Sequence, residues 1–174
     1  MRGGFLCTRN AVRTFLTCYF LAKVMNITYT NKEDFSLSNT TVLFDDELYA
    51  NTFCICTYNN KHYKFSWASR TIKPEIHELR ENVFSIGVDQ VFLIYDFSTD
   101  RALLKCHFFS YFYESLIIGE KLIIICELEY SVVDLNTCTV VGSDAFPDIF
   151  VKCEVLGDRI KVDCMSGYNS EIPI

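Results

Sequence analysis

The fold of this chain is decided by two consecutive stretches, VFSIGVDQVFLIYDFSTDRALLKC at 83–106 and ESLIIGEKLIIICELEYSVVDLNTCTVV at 114–141. Each has an apolar strand, a Gly-centred turn, a second apolar strand ending in Asp, a Thr-containing turn and a third strand. The tetrapeptide DFST at 96–99 recurs as DLNT at 134–137, and GEK at 119–121 recurs as GDR at 157–159, both with the same offset. Self-similarity at a fixed period predicts a repeated supersecondary unit.

Short turns between the apolar runs predict consecutive antiparallel hairpins, that is, a meander. Every position of Leu122–Cys126 is apolar, so this strand should be central and buried on both faces. The predicted strands of the repeat region lie near Val83–Gly87, Val91–Phe97, Ala102–Phe108, Glu114–Ile118, Leu122–Leu128, Tyr130–Leu135, Thr139–Val141, Phe150–Leu156 and Arg159–Cys164.

The repeated pattern resembles the blades of β-propellers, particularly quinoprotein-like and WD-type repeats, over residues 83–167. A propeller ring needs at least four blades, and the sequence shows only two to three units. We therefore expect an open, twisted meander, or a sheet curled on itself in a propeller-like way. The tryptophan-aspartate and glycine-histidine marks of the WD family are absent, so the resemblance implies no ligand residues.

The pattern of the segment before the repeats also predicts β-strands, and a hairpin is its clearest feature. Its arms meet at Asn59-Asn60-Lys61, and asparagine tolerates the positive φ of such turns. Pro74 can open a helix, so we predict a short connector helix at Glu75–Glu81. The predicted strands here are Asn26–Thr30, Thr41–Phe44, Tyr49–Tyr58 and His62–Trp67.

Residues 1–24 differ from the rest of the chain. Apolar residues recur there at helical spacing, and the uncharged run Thr14–Ala22 is too short to span a bilayer. We predict a helical N-terminal extension outside a single β domain at 25–174, with Met25 as an alternative start. A secretory signal is the competing interpretation, although no small-residue cleavage site follows the run.

Charge and cysteine content limit the kinds of partner and compartment. Of the 16 basic residues, four lie before Met25, which leaves 12 basic against 22 acidic side chains and a net charge of −10. A body with that field should repel nucleic acid and anionic membrane and attract a basic protein. The nine cysteines are odd in number and sit mostly in apolar runs, which favours reduced thiols in the cytoplasm.

These features predict a small acidic protein-binding module without catalytic groups, cofactors or metal. Bacterial immunity proteins, which neutralise a basic toxin, are similar in size and charge. The residues expected to meet the partner form two acidic loops, the second with an aromatic that looks exposed: Asp45, Asp46 and Glu47, and Asp144, Phe146 and Asp148.

Two alternatives stay open at this level. Cys54, Cys56 and His62 could offer three soft ligands on one sheet face, which would indicate a metal-binding or thiol-dependent protein. The repeats could instead serve a purely structural scaffold, alone or through pairing of sheet edges in a homo-oligomer.

Overall fold

The computed structural model describes residues 25–174, which form fifteen strands and one short helix. The predicted N-terminal helix and the boundary at Met25 concern residues 1–24, outside this range. In chain order the elements are β1 (Asn26–Thr30), α1 (Lys32–Leu37), β2 (Thr41–Phe44), β3 (Thr52–Tyr58), β4 (Lys61–Trp67), β5 (Glu75–Arg80), β6 (Val83–Val88), β7 (Val91–Asp96), β8 (Arg101–His107), β9 (Phe112–Ile118), β10 (Lys121–Cys126), β11 (Glu129–Asp134), β12 (Thr139–Ala145), β13 (Phe150–Leu156), β14 (Arg159–Cys164) and β15 (Asn169–Pro173).

The strands form four small sheets. The first has the order β1-β3-β4-β2, with β2 parallel to β4. The second (β5 to β8), third (β9 to β12) and fourth (β13 to β15) are antiparallel meanders whose neighbours in sequence are neighbours in space. The prediction of a mostly β meander is confirmed. The prediction of one open twisted sheet is wrong, because the hydrogen-bonded ladder stops at the end of each repeat and leaves four separate sheets.

Equivalent strands of successive sheets are separated by the same number of residues as the sequence repeats. Strands β6, β10 and β14 begin at Val83, Lys121 and Arg159, which lie one period apart from each other. The repeated Asp is a turn residue: Asp96 Oδ1 accepts the backbone N–H of Ser98 at 2.8 Å, and Asp134 Oδ1 accepts that of Asn136 at 2.9 Å. These Asx turns join the third and fourth strands of their sheets.

The predicted connector helix at Glu75–Glu81 is wrong, because this segment is strand β5. Its residues pair with β6 in antiparallel register, Glu75 opposite Gly87 and Ile76 opposite Ile86. Pairing with a fully buried neighbour outweighs the weak helix signal of Pro74. A helix does occur earlier: α1 lies between the predicted strands Asn26–Thr30 and Thr41–Phe44.

Three hydrophobic clusters fasten the sheets in order, the first to the second, the second to the third and the third to the fourth. Strand β10 contributes side chains to two of these clusters. Ile123 and Ile125 face the fourth sheet, whereas Leu122 and Ile124 face the second, and all four are fully buried. The prediction of a central strand at Leu122–Cys126 is confirmed. Within residues 25–174 no core cluster joins the first sheet to the fourth, so the sheets form an open row.

The outer face of the fourth sheet is charged. Lys152 lies 3.4 Å from Asp163, Lys161 lies 3.4 Å from the same carboxylate, and Arg159 lies 3.3 Å from Glu171. The ladder places these residues on the face opposite to Ile160 and Val162, which are buried against the third sheet. One face of the fourth sheet is therefore polar and solvated, whereas the opposite face belongs to the core.

The second and third sheets approach each other closely at Gly87. A Cβ built at Gly87 would lie 2.5 Å from Phe112 Cζ, and that ring is buried and packed on Phe92 at 5.6 Å. We expect Gly87→Ala to lower the free energy of unfolding by about 1–3 kcal/mol, the usual cost of overpacking. Urea denaturation followed by circular dichroism measures this loss.

Gly142→Ala is the matched control, because its Cβ would meet nothing closer than 3.9 Å. The double variant Gly87→Ala/Phe112→Leu should recover part of the loss, since the smaller side chain removes the ring from the contact. Equal stability of Gly87→Ala and Gly142→Ala would show that Phe112 moves aside without cost.

Candidate functional site: an acidic cavity between the first two sheets

A cavity of about 470 Å³ opens between the first and second sheets. Its walls come from the segment after β2, the end of β4, the β6–β7 turn and the segment after β8. We call it the acidic cavity, and its lining residues are Phe44, Asp45, Asp46, Glu47, Leu48, Tyr49, Ser66, Trp67, Ala68, Asp89, Gln90, Val91, His107 and Tyr111. It therefore contains one of the two predicted acidic loops in full.

The predicted acidic loop is held in place by side-chain bonds at its base. Ser66 Oγ donates to Asp45 Oδ1 and accepts the backbone N–H of Asp46 at 3.1 Å. Asp46 Oδ1 accepts the N–H of Tyr49 at 3.1 Å, which closes a turn. Asp45 and Glu47 are exposed and Asp46 is half-buried. The carboxylates are thus positioned by the end of strand β4 and present their charge at the mouth of the cavity.

A fourth carboxylate, Asp89, lines the same cavity from the β6–β7 turn. Its backbone has φ of +49°, and its Oδ2 accepts the N–H of Ser69 at 2.7 Å. The side chain is only 5% exposed. Burial raises the pKa of Asp89 above its usual value, and the negative charge of Asp46 adds to the rise. Nothing in the local sequence marks Asp89 as a site residue, because only the packing of the second sheet on the first brings it beside the acidic loop.

Apolar and aromatic side chains border the carboxylates. Leu48 is 83% exposed and Tyr49 is 70% exposed, and both belong to the acidic loop. Tyr111 is also exposed, while Trp67 forms the buried floor at 1% exposure. Next to this rim, Phe109 is 96% exposed on a loop whose backbone N–H donates to Glu129 Oε1 at 2.7 Å. Exposed aromatics beside charge are typical of protein-binding surfaces.

The second predicted acidic loop lies at the junction of the third and fourth sheets. Phe146 was expected to be an exposed anchor, and this is wrong: it is buried and stacks on Tyr130 at 5.4 Å. Asp148 accepts backbone N–H groups of Ile149 and Ser166, and the bond to Ser166 lowers the pKa of its carboxyl. Asp144 is exposed. Its Oδ1 accepts the N–H of the adjacent Ala145 at 2.8 Å. This loop is therefore a structural junction with one exposed carboxylate at its surface.

The two acidic loops nevertheless lie at the same edge of the row of sheets. Phe108 N–H donates to Gln90 O, and one period later Phe146 N–H donates to Leu128 O, each at 2.8 Å. The acidic cavity adjoins the Asp89-Gln90 turn, and the second loop adjoins the equivalent Glu127-Leu128 turn. The acidic residues thus share one edge without forming one site.

The predicted set of three soft ligands does not come together. Cys56 pairs with Tyr63 across the hairpin, and His62 pairs with Thr57, so His62 faces the opposite side of the sheet. Burial raises the pKa of both Cys54 and Cys56 to about 12, which opposes the thiolate form that binds metal. Among the residues of the structure that are described, no three metal-binding side chains cluster.

Elsewhere the first strands of neighbouring sheets touch through polar groups. Ser115 Oγ donates to Glu75 Oε1 at 2.7 Å, and Cys153 Sγ lies 3.6 Å from Glu114 Oε1. Burial and the Glu114 charge raise the pKa of Cys153 to about 11, so this thiol stays protonated near neutral pH. In the described part of the chain, no helix has the length and apolar character needed to cross a bilayer.

No protein-family model and no curated protein matches this chain. Solved structures do resemble it. The WD40 domain of coronin from Toxoplasma gondii aligns with a TM-score of 0.50 and 7% identity over 87% of this chain and 48% of that one. BamB from Moraxella catarrhalis aligns with a TM-score of 0.44 and 9% identity over 70% of this chain and 40% of that one.

This chain spans less than half the length of each of these two structures. At such identities the likeness concerns the fold alone. It confirms the resemblance of the sequence repeats to the repeats of β-propeller proteins, and the four sheets are units of that type.

Proposed function

We propose that this chain is a propeller-type protein-binding module that captures a basic partner protein at its acidic edge, with the acidic cavity as the principal contact. The observation that supports this most strongly is the composition of the cavity. Four carboxylates line it, and His107 is its sole basic lining residue in the range 25–174. Complementary charge of this kind favours selection of a partner and fast association.

The proposal extends to the class of partner. A module that blocks a basic protein needs an exposed acidic surface with apolar anchors and no reacting groups of its own, and Leu48, Tyr49 and Phe109 supply such anchors. A basic toxin that the chain neutralises is the specific partner we propose. A reducing compartment such as the cytoplasm suits the buried thiols Cys54, Cys56 and Cys126.

The alternative of a purely structural repeat scaffold has one observation in its favour, namely the regular row of sheets. A scaffold that grows by stacking of further copies is disfavoured, because the charged outer face of the fourth sheet would have to be buried. Desolvating paired charges offsets most of what their mutual attraction contributes.

The test is association kinetics with candidate basic partners, beginning with the protein encoded beside this chain. Raising ionic strength from 0.1 M to 1 M shortens the screening length from about 10 Å to about 3 Å. We expect the on-rate to fall at least tenfold over this range, with a smaller change in the off-rate, because long-range attraction acts before contact.

A triple amide variant locates the effect. Asp45→Asn/Asp46→Asn/Glu47→Gln removes three charges and keeps the oxygen acceptors that hold the loop. It should lower the on-rate several-fold at 0.1 M salt. The control, Glu33→Gln/Glu120→Gln/Glu154→Gln, makes the same change in net charge at exposed positions outside the cavity. An on-rate insensitive to salt, or equal effects of the two triple variants, would contradict the proposal.

A further inference from the structure

The acidic cavity contains a group that the fold leaves unsatisfied. Asp89 Oδ2 accepts the Ser69 N–H, and the neighbouring Ala68 N–H also acts to lower the pKa of the carboxyl, but Asp89 Oδ1 is buried and no group among residues 25–174 completes a hydrogen bond to it. Leaving a buried acceptor unpaired is costly, and such groups in native proteins call for an explanation. A ligand that supplies a donor to this carboxylate is one.

Turn chemistry permits a charged residue at this place, as at Asp100 with φ of +58°, but it does not require one. The backbone at Asp89 has positive φ, which Asn or Gly adopts at least as readily. Other hairpin turns use those uncharged residues at positive φ, for example Asn60, Gly119 and Gly157. The carboxylate of Asp89 is therefore an addition to what the turn requires, and it lies in the cavity that already holds Asp46.

The surroundings of Asp89 favour an organic cation over a metal ion. A volume of about 470 Å³ is far larger than a bare ion requires. The lining includes Trp67, Tyr49 and Tyr111, and aromatic faces attract ammonium and guanidinium groups and cover the apolar stems that carry them. The carboxylates of the described chain also form no cluster of three potential metal ligands.

We infer that the acidic cavity is the receptor for one lysine or arginine side chain of the partner, with the carboxylates of Asp89 and Asp46 receiving the cationic head and the aromatic lining covering the stem. This inference rests on the proposed function and specifies its central contact. The cation supplies Asp89 Oδ1 with the hydrogen-bond donor that the chain itself does not provide. Its positive charge also offsets the repulsion between the carboxylates of Asp89 and Asp46.

Trp67 provides a direct signal, because it is the single tryptophan of the chain and lines the cavity. The probes are the N-acetyl methylamides of arginine and lysine, with those of citrulline and norleucine as uncharged counterparts. Titrated into the full chain, the two cationic probes should change Trp67 emission saturably with dissociation constants of about 1 mM, as suits a single side chain. The uncharged probes should not.

Asp89→Asn keeps the turn conformation and the acceptor for Ser69, and it should weaken binding of the cationic probes at least tenfold. Asp100→Asn is the matched control: it also neutralises an Asp at positive φ, but Asp100 lies outside the cavity and accepts from Tyr95 Oη. Thermal melts of both variants establish that they fold. Asp46→Asn gives a second, independent loss of affinity.

Three results would overturn the inference. Asp89→Asn could bind the cationic probes like the unaltered chain. The norleucine and citrulline probes could bind as well as their charged counterparts, which would define an apolar pocket. Millimolar Ca²⁺ or Mg²⁺ could displace the probes and alone alter Trp67 emission, which would define a metal site. If the probes fail while partner capture keeps its salt dependence, only the side-chain receptor is wrong and the acidic capture surface stands.

Discussion

Ile124→Ala is expected to lower the free energy of unfolding by roughly 2–5 kcal/mol, the range observed for emptying a buried aliphatic site. Ile124 is fully buried on β10, an inner strand of the third sheet, and faces the cluster shared with the second sheet. Its ladder neighbours are Ser115 and Ser131. Their short side chains cannot fill the space that the truncation leaves, so a cavity should remain.

Urea denaturation measures the loss, and Val141→Ala is the control because Val141 is 58% exposed on the edge strand β12. We expect the control to stay within about 0.5 kcal/mol of the unaltered chain, as is usual for surface substitutions. Native-state hydrogen exchange should also find the β10 amides among the slowest of the protein. A loss for Ile124→Ala as small as that of the control would place β10 outside the cooperative core.

The properties of β10 could be predicted because they are local. Five consecutive apolar residues leave no polar face for solvent, and such a strand has to lie inside a sheet with both faces covered. The period was likewise visible, because the Asx turns at Asp96 and Asp134 need the same residue types at the same spacing. Strand direction, turns and centre of the repeat region therefore followed from the sequence.

At β5 the period of the repeats and the local helix propensity point to different structures. Counting one period back from Tyr113–Ile118, within β9, reaches Glu75–Arg80, which is β5. The period of the repeat is thus consistent with a strand at the place where Pro74 indicates a helix. In a repeat protein the period carries information from well-patterned copies to poorly patterned ones, and it outweighs local propensity.

The number of sheets and the candidate site could not be predicted from local pattern. The hydrophobic pattern of a meander is the same whether its hydrogen-bonded ladder continues from one repeat to the next or stops between them. Where the ladder stops depends on how the loops at 68–74, 108–111 and 146–149 pack. Phe146 shows the same limit: its acidic, proline-containing context suggests exposure, but its ring fills the space between Tyr130 and Phe150. Asp89 and Asp46 meet only because two sheets pack together.

The first sheet is covered on its outer face by α1, and one buried cation holds that cover in place. Lys64 on β4 is 8% exposed, and its Nζ donates to the carbonyl oxygens of Phe35 and Ser38, each at 2.7 Å. The Phe35 ring lies 4.8 Å from Nζ and packs on Phe53 at 5.2 Å. These carbonyls belong to the C-terminal end of α1, where a positive charge is favourable.

The charged fourth sheet and this covered first sheet give the row two different ends. At one end, paired surface charges keep the outer face of the fourth sheet exposed to solvent. At the other, a helix of six residues is too short to be stable alone, so its position depends on Phe35 and on the Lys64 bonds. Loss of Lys64 should therefore affect the whole segment between β1 and β2.

Lys64→Met is expected to lower the free energy of unfolding by roughly 2–4 kcal/mol, because two bonds to a charged donor are lost and their carbonyls stay buried. Methionine keeps most of the apolar stem, so the change isolates the ammonium group. Lys61→Met is the control, since Lys61 lies exposed on the same strand. Chymotrypsin should also cut faster after Phe35 and Leu37 in Lys64→Met, because the helix detaches before the sheets unfold. If the two methionine variants are equally stable and equally resistant to chymotrypsin, packing of Phe35 on Phe53 alone secures α1, and the buried cation contributes nothing to this end of the row.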